Sequence, residues 1–261
     1  MSQDIFVEVG HGPTLIDNNV MLSDASLRFA TEGVALVHNL ICGALTCVGD
    51  GTGWRYTPYH MPHRTEVMGF MTILHGDDRI YNNIFVQKWP SEDVIIPQIS
   101  DEGFDSENRK AGTWMFDEYP TYDEWISQFD FTKPVDMKKL EPVHFGHLPV
   151  WIEGNVYLNG AEACKNEVNG LVISDKEAKV DLVEKEGSYY LDTNVYDLVG
   201  EFKDRMIHSD ILGKAFEPEQ RFENPDGTAI QFDKDYFGGH RGMDVIPGPF
   251  AQAEDAKKVL F

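Results

Sequence analysis

The sequence predicts an all-β chain wound as a right-handed parallel β-helix with an acidic, aromatic-rich insertion. A short motif recurs: Asp17-Asn18-Asn19-Val20-Met21-Leu22, Val37-His38-Asn39-Leu40-Ile41-Cys42, Tyr81-Asn82-Asn83-Ile84-Phe85-Val86 and Glu153-Gly154-Asn155-Val156-Tyr157-Leu158 each carry a polar residue or Gly, then Asn, then apolar residues. The first interval, Asn19 to Asn39, is 20 residues, too short for a two-helix repeat and within the range of solenoids built from strands. The chain also lacks any long stretch of helical periodicity and offers short β-rich strings instead, such as Gly33 to Ile41 and Val67 to Leu74.

Each element follows from that repeat. With Asn194 as a weaker fifth copy, the Asn residues are separated by 20, 44, 72 and 39 residues, read as one coil, two coils, an interrupted stretch and two coils. An Asn at the same corner of every coil can hydrogen-bond up and down the stack and satisfy turn groups that are costly to bury. Residues 47–64, rich in Gly and Pro, are expected to leave the stack as a loop. Between Ser91 and Asp130 stand eleven acidic and two basic residues with Phe104, Trp114, Phe116, Tyr119, Tyr122, Trp125 and Phe129 interleaved. That composition predicts a packed insertion with a helix near Tyr122 to Phe129 and a solvated acidic face. Val180 to Glu184 and Ser188 to Leu191 alternate as paired strands around Glu186-Gly187. From His208 onward, dense Gly, Pro and turn signals predict an irregular strap across the coils. The chain is thus expected to form a single domain, 1–261, with coils over 3–86 and 147–199, an insertion over 87–146 and the strap over 200–261.

Composition limits the partners. Lys and Arg number 22 against 44 Asp and Glu, a formal net charge of -22. A chain so acidic is repelled by phosphate backbones and anionic lipid, so neither nucleic acid nor membrane is an expected partner. The first twenty residues have no basic start and no long apolar run, and no signal peptide or membrane span is expected. Cys42, Cys47 and Cys164 match neither a disulfide framework nor a zinc site, which suits reduced thiols in the cytoplasm acting as small buried apolar residues.

Stacked parallel strands lie about 4.8 Å apart, close to the ~5–5.5 Å that separates the two carboxyl groups of a retaining glycosidase. Equivalent acidic positions on adjacent coils are therefore candidate catalytic pairs. The candidates on the first coils are Glu8, Asp17 and Glu32. Aligning Asn19 with Asn39 sets Glu8 opposite Arg28, His11 opposite Thr31 and Gly12 opposite Glu32. No carboxylate then stacks above Glu8, and its partner would lie about twenty residues earlier, before Met1. Asp17, beside Asn18 and Asn19, reads as a corner residue and a fallback nucleophile.

The strings Asp4-Ile5-Phe6-Val7-Glu8-Val9-Gly10-His11-Gly12-Pro13, Asp17-Asn18-Asn19, Val37-His38-Asn39-Leu40, Thr57-Pro58-Tyr59-His60-Met61-Pro62-His63, Ala215-Phe216-Glu217-Pro218-Glu219-Gln220 and Phe222-Glu223-Asn224-Pro225-Asp226-Gly227 resemble the β-xylosidases of glycoside hydrolase family 120. The resemblance implies a right-handed β-helix that hydrolyses xylo-oligosaccharides with retention, using an Asp nucleophile and a Glu acid/base. It makes Glu8 the acid/base and assigns the nucleophile to a preceding coil that this sequence does not contain. Members of that family are longer chains with a β-sandwich inserted near their N-terminus, and nothing here matches that part. The expectation is therefore the C-terminal part of such an enzyme, with an oligosaccharide substrate and, as further partners, the missing N-terminal portion or a second copy.

Substrate-binding candidates are His11, Arg28, Arg55, Tyr59, His60 and His63. His11 could bond a sugar hydroxyl or Glu8, and Arg28 a substrate hydroxyl or the missing Asp. The spacing of His60 and His63 invites a metal, but no third ligand is positioned by sequence and retaining glycosidases need none, so no cofactor is expected. Trp54, Trp114 and Trp125 could stack on pyranose rings or pack a core. Two other readings compete: a catalytically silent carbohydrate-binding or degenerate solenoid, and a β-helix polysaccharide lyase. The lyase is disfavoured because the charge is of the wrong sign for a uronate polymer.

Overall fold

A computed structural model describes residues 3–47, 56–89, 110–130, 132–134 and 146–261. The fold is mostly β. The first circuit of the chain lays down β1 (Gln3–Glu8), β2 (Thr14–Asp17) and β3 (Val20–Met21), and the second lays down β4 (Ala25–Ala30), β5 (Val34–Val37) and β6 (Leu40–Ile41). The third begins with β7 (Ala44–Cys47), departs into the hairpin β8 (Thr57–His60) and β9 (Val67–Met71), and returns as β10 (Asp78–Tyr81) and β11 (Ile84–Val86). After the insertion come β12 (Val150–Glu153), β13 (Val156–Leu158) and β14 (Leu171–Ile173). Successive strands go to three parallel sheets in turn, ordered β1-β4-β7, β12-β10-β5-β2 and β14-β13-β11-β6-β3. The chain therefore winds in stacked coils.

The repeated Asn holds the stack. Asn19 donates its backbone N–H and Nδ2 to Oδ1 of Asn39, both at 3.0 Å. Asn39 does the same to Asn83 at 2.9 and 3.0 Å, and Asn83 to Asn155 at 2.9 and 3.0 Å. Glu167 ends the ladder by accepting from the Asn155 backbone N–H at 3.0 Å. The residue before each ladder Asn turns the corner with positive φ: Asn18 (54°), His38 (59°), Asn82 (55°) and Gly154 (71°). This is the left-handed region, entered most cheaply by Gly and Asn, which explains the polar-or-Gly position of the motif.

Two expectations about the repeat are corrected. The 44 residues from Asn39 to Asn83 hold one coil, because β6 pairs directly with β11. The surplus is the excursion that carries the β8–β9 hairpin, and part of 47–64, expected as loop, is therefore strand. Asn194 is no rung of the ladder. It precedes the helix α2 (Val195–Val199), accepts from Lys179 N–H at 2.7 Å and donates to Glu177 O at 3.0 Å.

The apolar side chains that face inward stack as layers, including Leu27, Phe29, Leu36, Ile80 and Tyr157, with Phe85 parallel to Tyr157 at 5.3 Å between centroids. The insertion contributes Phe116 and Tyr119 to that core. Its helix α1 (Tyr122–Ile126) is capped reciprocally by Thr121 and Glu124 and is shorter than the predicted span. Trp125 packs on Phe129 and Phe216, and Trp114 donates to Lys110 O; Trp54 lies outside the described residues. The predicted strand pair forms an antiparallel hairpin, β15 (Val180–Lys185) and β16 (Ser188–Thr193), turned by Glu186 (φ 54°) and Gly187 (φ 81°). Both turn residues have the positive φ of a type I′ hairpin turn.

The C-terminal residues cover the second sheet, where Ile207, Leu212, Phe222 and Phe232 pack on Ala35, Val37 and Tyr81. They include a short helix, α3 (Ser209–Leu212), and the strands β17 (Asp204–Arg205) and β18 (Asp244–Val245). Cys42 and Cys164 are buried, and burial pushes their thiols up to about 12 and about 11. No helix among the described residues is long and apolar enough to cross a membrane.

Candidate active site

The turn between β1 and β2, the β8–β9 hairpin and the C-terminal strap enclose an open groove of about 840 Å³. Val9 to Thr14 form its floor, Tyr56 to Met61 and His63 to Thr65 one wall, and Pro218 and Gln220 the other. His11, Tyr59, His60 and His63, scattered in sequence, thus share one surface. Glu8 ends β1, exposed, next to the floor residue Val9. Arg55 lies outside the described residues.

The expected register around Glu8 is corrected. Glu8 is opposite Ala30, and Arg28 is opposite Phe6 on one side and Thr46 on the other. Five residues, 9–13, separate β1 from β2, whereas three, 31–33, separate β4 from β5. An alignment anchored on the Asn corner therefore slips by two when carried back across that turn. The Arg28 guanidinium lies over the Phe6 ring, 5.1 Å from its centroid, on the first sheet rather than among the groove-lining residues.

Within that turn the slip is one residue, and His11 meets Glu32 rather than Thr31. His11 Nδ1 is 2.5 Å from Glu32 Oε1, and its Nε2 is 3.2 Å from the carbonyl oxygen of Thr57. His11 is 4% exposed, and the Tyr59 ring meets its imidazole edge-on at 5.7 Å. Burial alone pushes the His11 pKa down. The hydrogen bond and charge of Glu32, the Thr57 carbonyl and the charge of Glu217 outweigh it, and the net direction is upward. The other oxygen of Glu32 accepts the Leu74 N–H at 2.9 Å.

Beneath the strap wall sits a charged cluster to which the sequence reading assigned no role. Asp77 Oδ1 accepts from Arg79 Nη1 at 2.6 Å, and Asp77 Oδ2 accepts the Phe216 N–H at 2.7 Å. Arg79 also donates to Leu212 O at 2.8 Å and Lys214 O at 2.6 Å, with its guanidinium 4.6 Å from the Trp151 ring and 5.0 Å from the Phe222 ring. Burial pushes Asp77 up to about 6, with Arg79 opposing. Asp78, whose Oδ1 accepts the Val34 N–H at 3.0 Å, is raised well above the usual range by burial. Glu217 is raised by burial and by the charge of Glu32, with His11 opposing. The available signal was Gly76-Asp77-Asp78-Arg79, three charged residues opening a buried strand just before an Asn corner.

The two walls are also tied to each other. His63 Nε2 is 2.8 Å from Glu223 Oε1, and Gln220 Oε1 accepts the His63 N–H at 3.2 Å. The fallback candidate Asp17 lies at the Asn corner, with Oδ2 accepting from Asn18 Nδ2 at 2.9 Å; burial raises its pKa. Among the described residues no cluster of three or more His, Cys, Asp or Glu is placed to hold a metal ion. The groove offers hydroxyl and imidazole groups along the hairpin wall, suited to hydrogen bonding with a polyhydroxylated ligand, and Glu8 stands one residue before its floor.

No family model and no curated protein matches the chain. Among solved structures, the complex of XylC with xylose superposes with a TM-score of 0.78 at 31% sequence identity, over 95% of this chain and 36% of that one. The chain thus spans about a third of the length of XylC, and over nearly all its own length it has the fold of that part of a xylose-bound protein.

Proposed function

We propose that this chain is the right-handed parallel β-helix portion of a retaining glycoside hydrolase of β-xylosidase type, similar to family 120 and acting on xylo-oligosaccharides. The observation that carries the reading is the likeness to XylC, solved with xylose, at 31% identity over 95% of the chain. Glu8 is the acid/base. It protonates the departing glycosidic oxygen, then takes a proton from the water that releases the sugar. The nucleophilic Asp belongs to a coil stacked on β1, the outermost strand of its sheet among the described residues. Strand spacing of about 4.8 Å then sets the two carboxyls at the separation retention needs. Tyr59, His60 and His63 contact the sugar, and His11 lines the groove beside them.

The test uses the chain by itself and joined to whatever polypeptide its gene encodes upstream, assayed on xylobiose and on a dinitrophenyl β-xyloside. The expected outcome is turnover of both substrates by the extended protein, with Glu8→Gln losing about 100-fold or more on xylobiose. The variant should still release dinitrophenolate, a leaving group that needs no proton, in an initial burst. Tight xylobiose binding without turnover by the extended protein would replace this reading with that of a carbohydrate-binding solenoid.

A further inference from the structure

We infer that His11 and Glu32 form a positioning pair, an imidazolium–carboxylate bracket that holds the β8–β9 hairpin against the coils and so sets the groove wall carrying Tyr59, His60 and His63. Both nitrogens of His11 face oxygens, the Glu32 carboxyl at 2.5 Å and the Thr57 carbonyl at 3.2 Å. The carbonyl can only accept, so Nε2 carries a hydrogen; the proton between Nδ1 and Glu32, assigned to the ring, makes the ring a cation beside a carboxylate. Glu32 in turn uses its second oxygen to accept the Leu74 N–H at 2.9 Å. Thr57 opens β8, and Leu74 lies three residues past the end of β9. One ion pair from two adjacent coils thus grips the hairpin on both sides of its excursion.

The pair is almost wholly buried, with side chains 2% and 1% exposed. Removing either charge leaves the other desolvated and unpaired, so the two stand or fall together. The groups that face them are Glu217 on the strap, Asp77, Asp78 and beyond them Arg79 at the start of β10, and the Tyr59 ring on β8. His147 borders the far anchor through Leu74 O at 2.8 Å. The carboxylates among them favour the charged ring. Loss of the His11 proton deletes one of its two hydrogen bonds and the charge that holds Glu32, which frees the wall. The consequence for sugar binding rests on the reading of the groove given above; the bracket itself does not.

The experiment uses the whole 261-residue chain. Nitrogen-15 shifts of labelled histidine should show His11 protonated on both nitrogens at pH 7, above the ordinary histidine midpoint of about 6.5. Amide exchange, corrected for its intrinsic pH dependence, should quicken at least tenfold across Thr57 to Leu74 in Glu32→Gln and His11→Gln while the β15–β16 hairpin keeps its rates. The same opening should appear in the unaltered chain as His11 deprotonates, and should have no such pH dependence in His11→Gln. A neutral His11 ring at pH 7, or hairpin exchange unchanged in Glu32→Gln, overturns the bracket. If a variant loosens the β15–β16 hairpin as well, the histidine shifts and hairpin pH dependence of the unaltered chain decide. Xylobiose titration separates the two claims. Weakening by tenfold or more in Glu32→Gln supports both, whereas an unaltered chain that ignores xylobiose yet shows the exchange pattern retains the bracket and counts against the sugar site.

Discussion

Asn83 and Asn155 are 72 residues apart in sequence, yet Asn155 Oδ1 accepts both the backbone N–H and the side-chain Nδ2 of Asn83, at 2.9 and 3.0 Å. Asn83 also donates to Leu36 O at 3.0 Å and accepts two bonds from Asn39. Its side chain is fully buried. Asn83→Ala therefore removes the partner of the Asn39 N–H and of Leu36 O on the preceding coil and one of the two bonds to Asn155 Oδ1 on the following coil, each stranded group costing about 1–3 kcal/mol, and should destabilise the fold by roughly 3–5 kcal/mol. Asn194→Ala, at a copy of the motif outside the ladder, loses only two exposed hydrogen bonds, to Lys179 N–H and Glu177 O, and should cost about 1 kcal/mol. Urea unfolding of the two variants, with unchanged slope, checks the contrast.

That contrast marks how far the sequence could be read. The ladder was legible because Asn, a residue in the left-handed region before it and apolar residues after it recur as a unit. The number of coils was not, because an excursion such as 44–77 contains no rung and so looks like a missing one. The site suffered from the same cause. Glu8, His11 and the hairpin residues stood out by type, and Glu32 was among the acidic candidates. Assigning Glu32 to His11 required knowing that the first coil spends two more residues on the turn before β2 than the second spends before β5. Asp77 and Arg79 escaped for another reason: their partners Phe216, Leu212 and Lys214 are backbone groups more than 130 residues away, and backbone groups leave no trace in side-chain patterns.

The turn that displaces the register also limits substitution. Gly12 has φ 71°, and a Cβ there would lie 2.6 Å from Gly33 O and 2.9 Å from Gly33 Cα. Gly187 has φ 81° with open space around it. Gly187→Ala meets only the left-handed penalty of about 1–2 kcal/mol. Gly12→Ala adds a collision with the backbone of the next coil, beside the residues that place His11 over Glu32. It should cost at least about 3 kcal/mol, with the β8–β9 hairpin exchanging faster even where the fold survives. Thermal melting ranks the two, and amide exchange locates the damage.

Asp77 supplies a pH dependence whose sign follows from its environment. Burial raises its folded-state pKa to about 6 from an ordinary 3.8, so the folded chain holds this proton more tightly than the unfolded chain does. The stability linked to the protonated carboxyl is fully present below about pH 4 and is lost as pH rises towards 6. Two pKa units correspond to about 3 kcal/mol. Asn in place of Asp77 keeps an acceptor for Arg79 or for the Phe216 N–H and removes the titration. The stability of the unaltered chain relative to Asp77→Asn should therefore fall by up to about 3 kcal/mol between pH 4 and 7 and change little above that. Urea titrations of both chains at half-unit steps measure the difference directly. A gap that widens in favour of the unaltered chain with rising pH would instead mean that Arg79 outweighs burial and holds Asp77 ionised at pH 5.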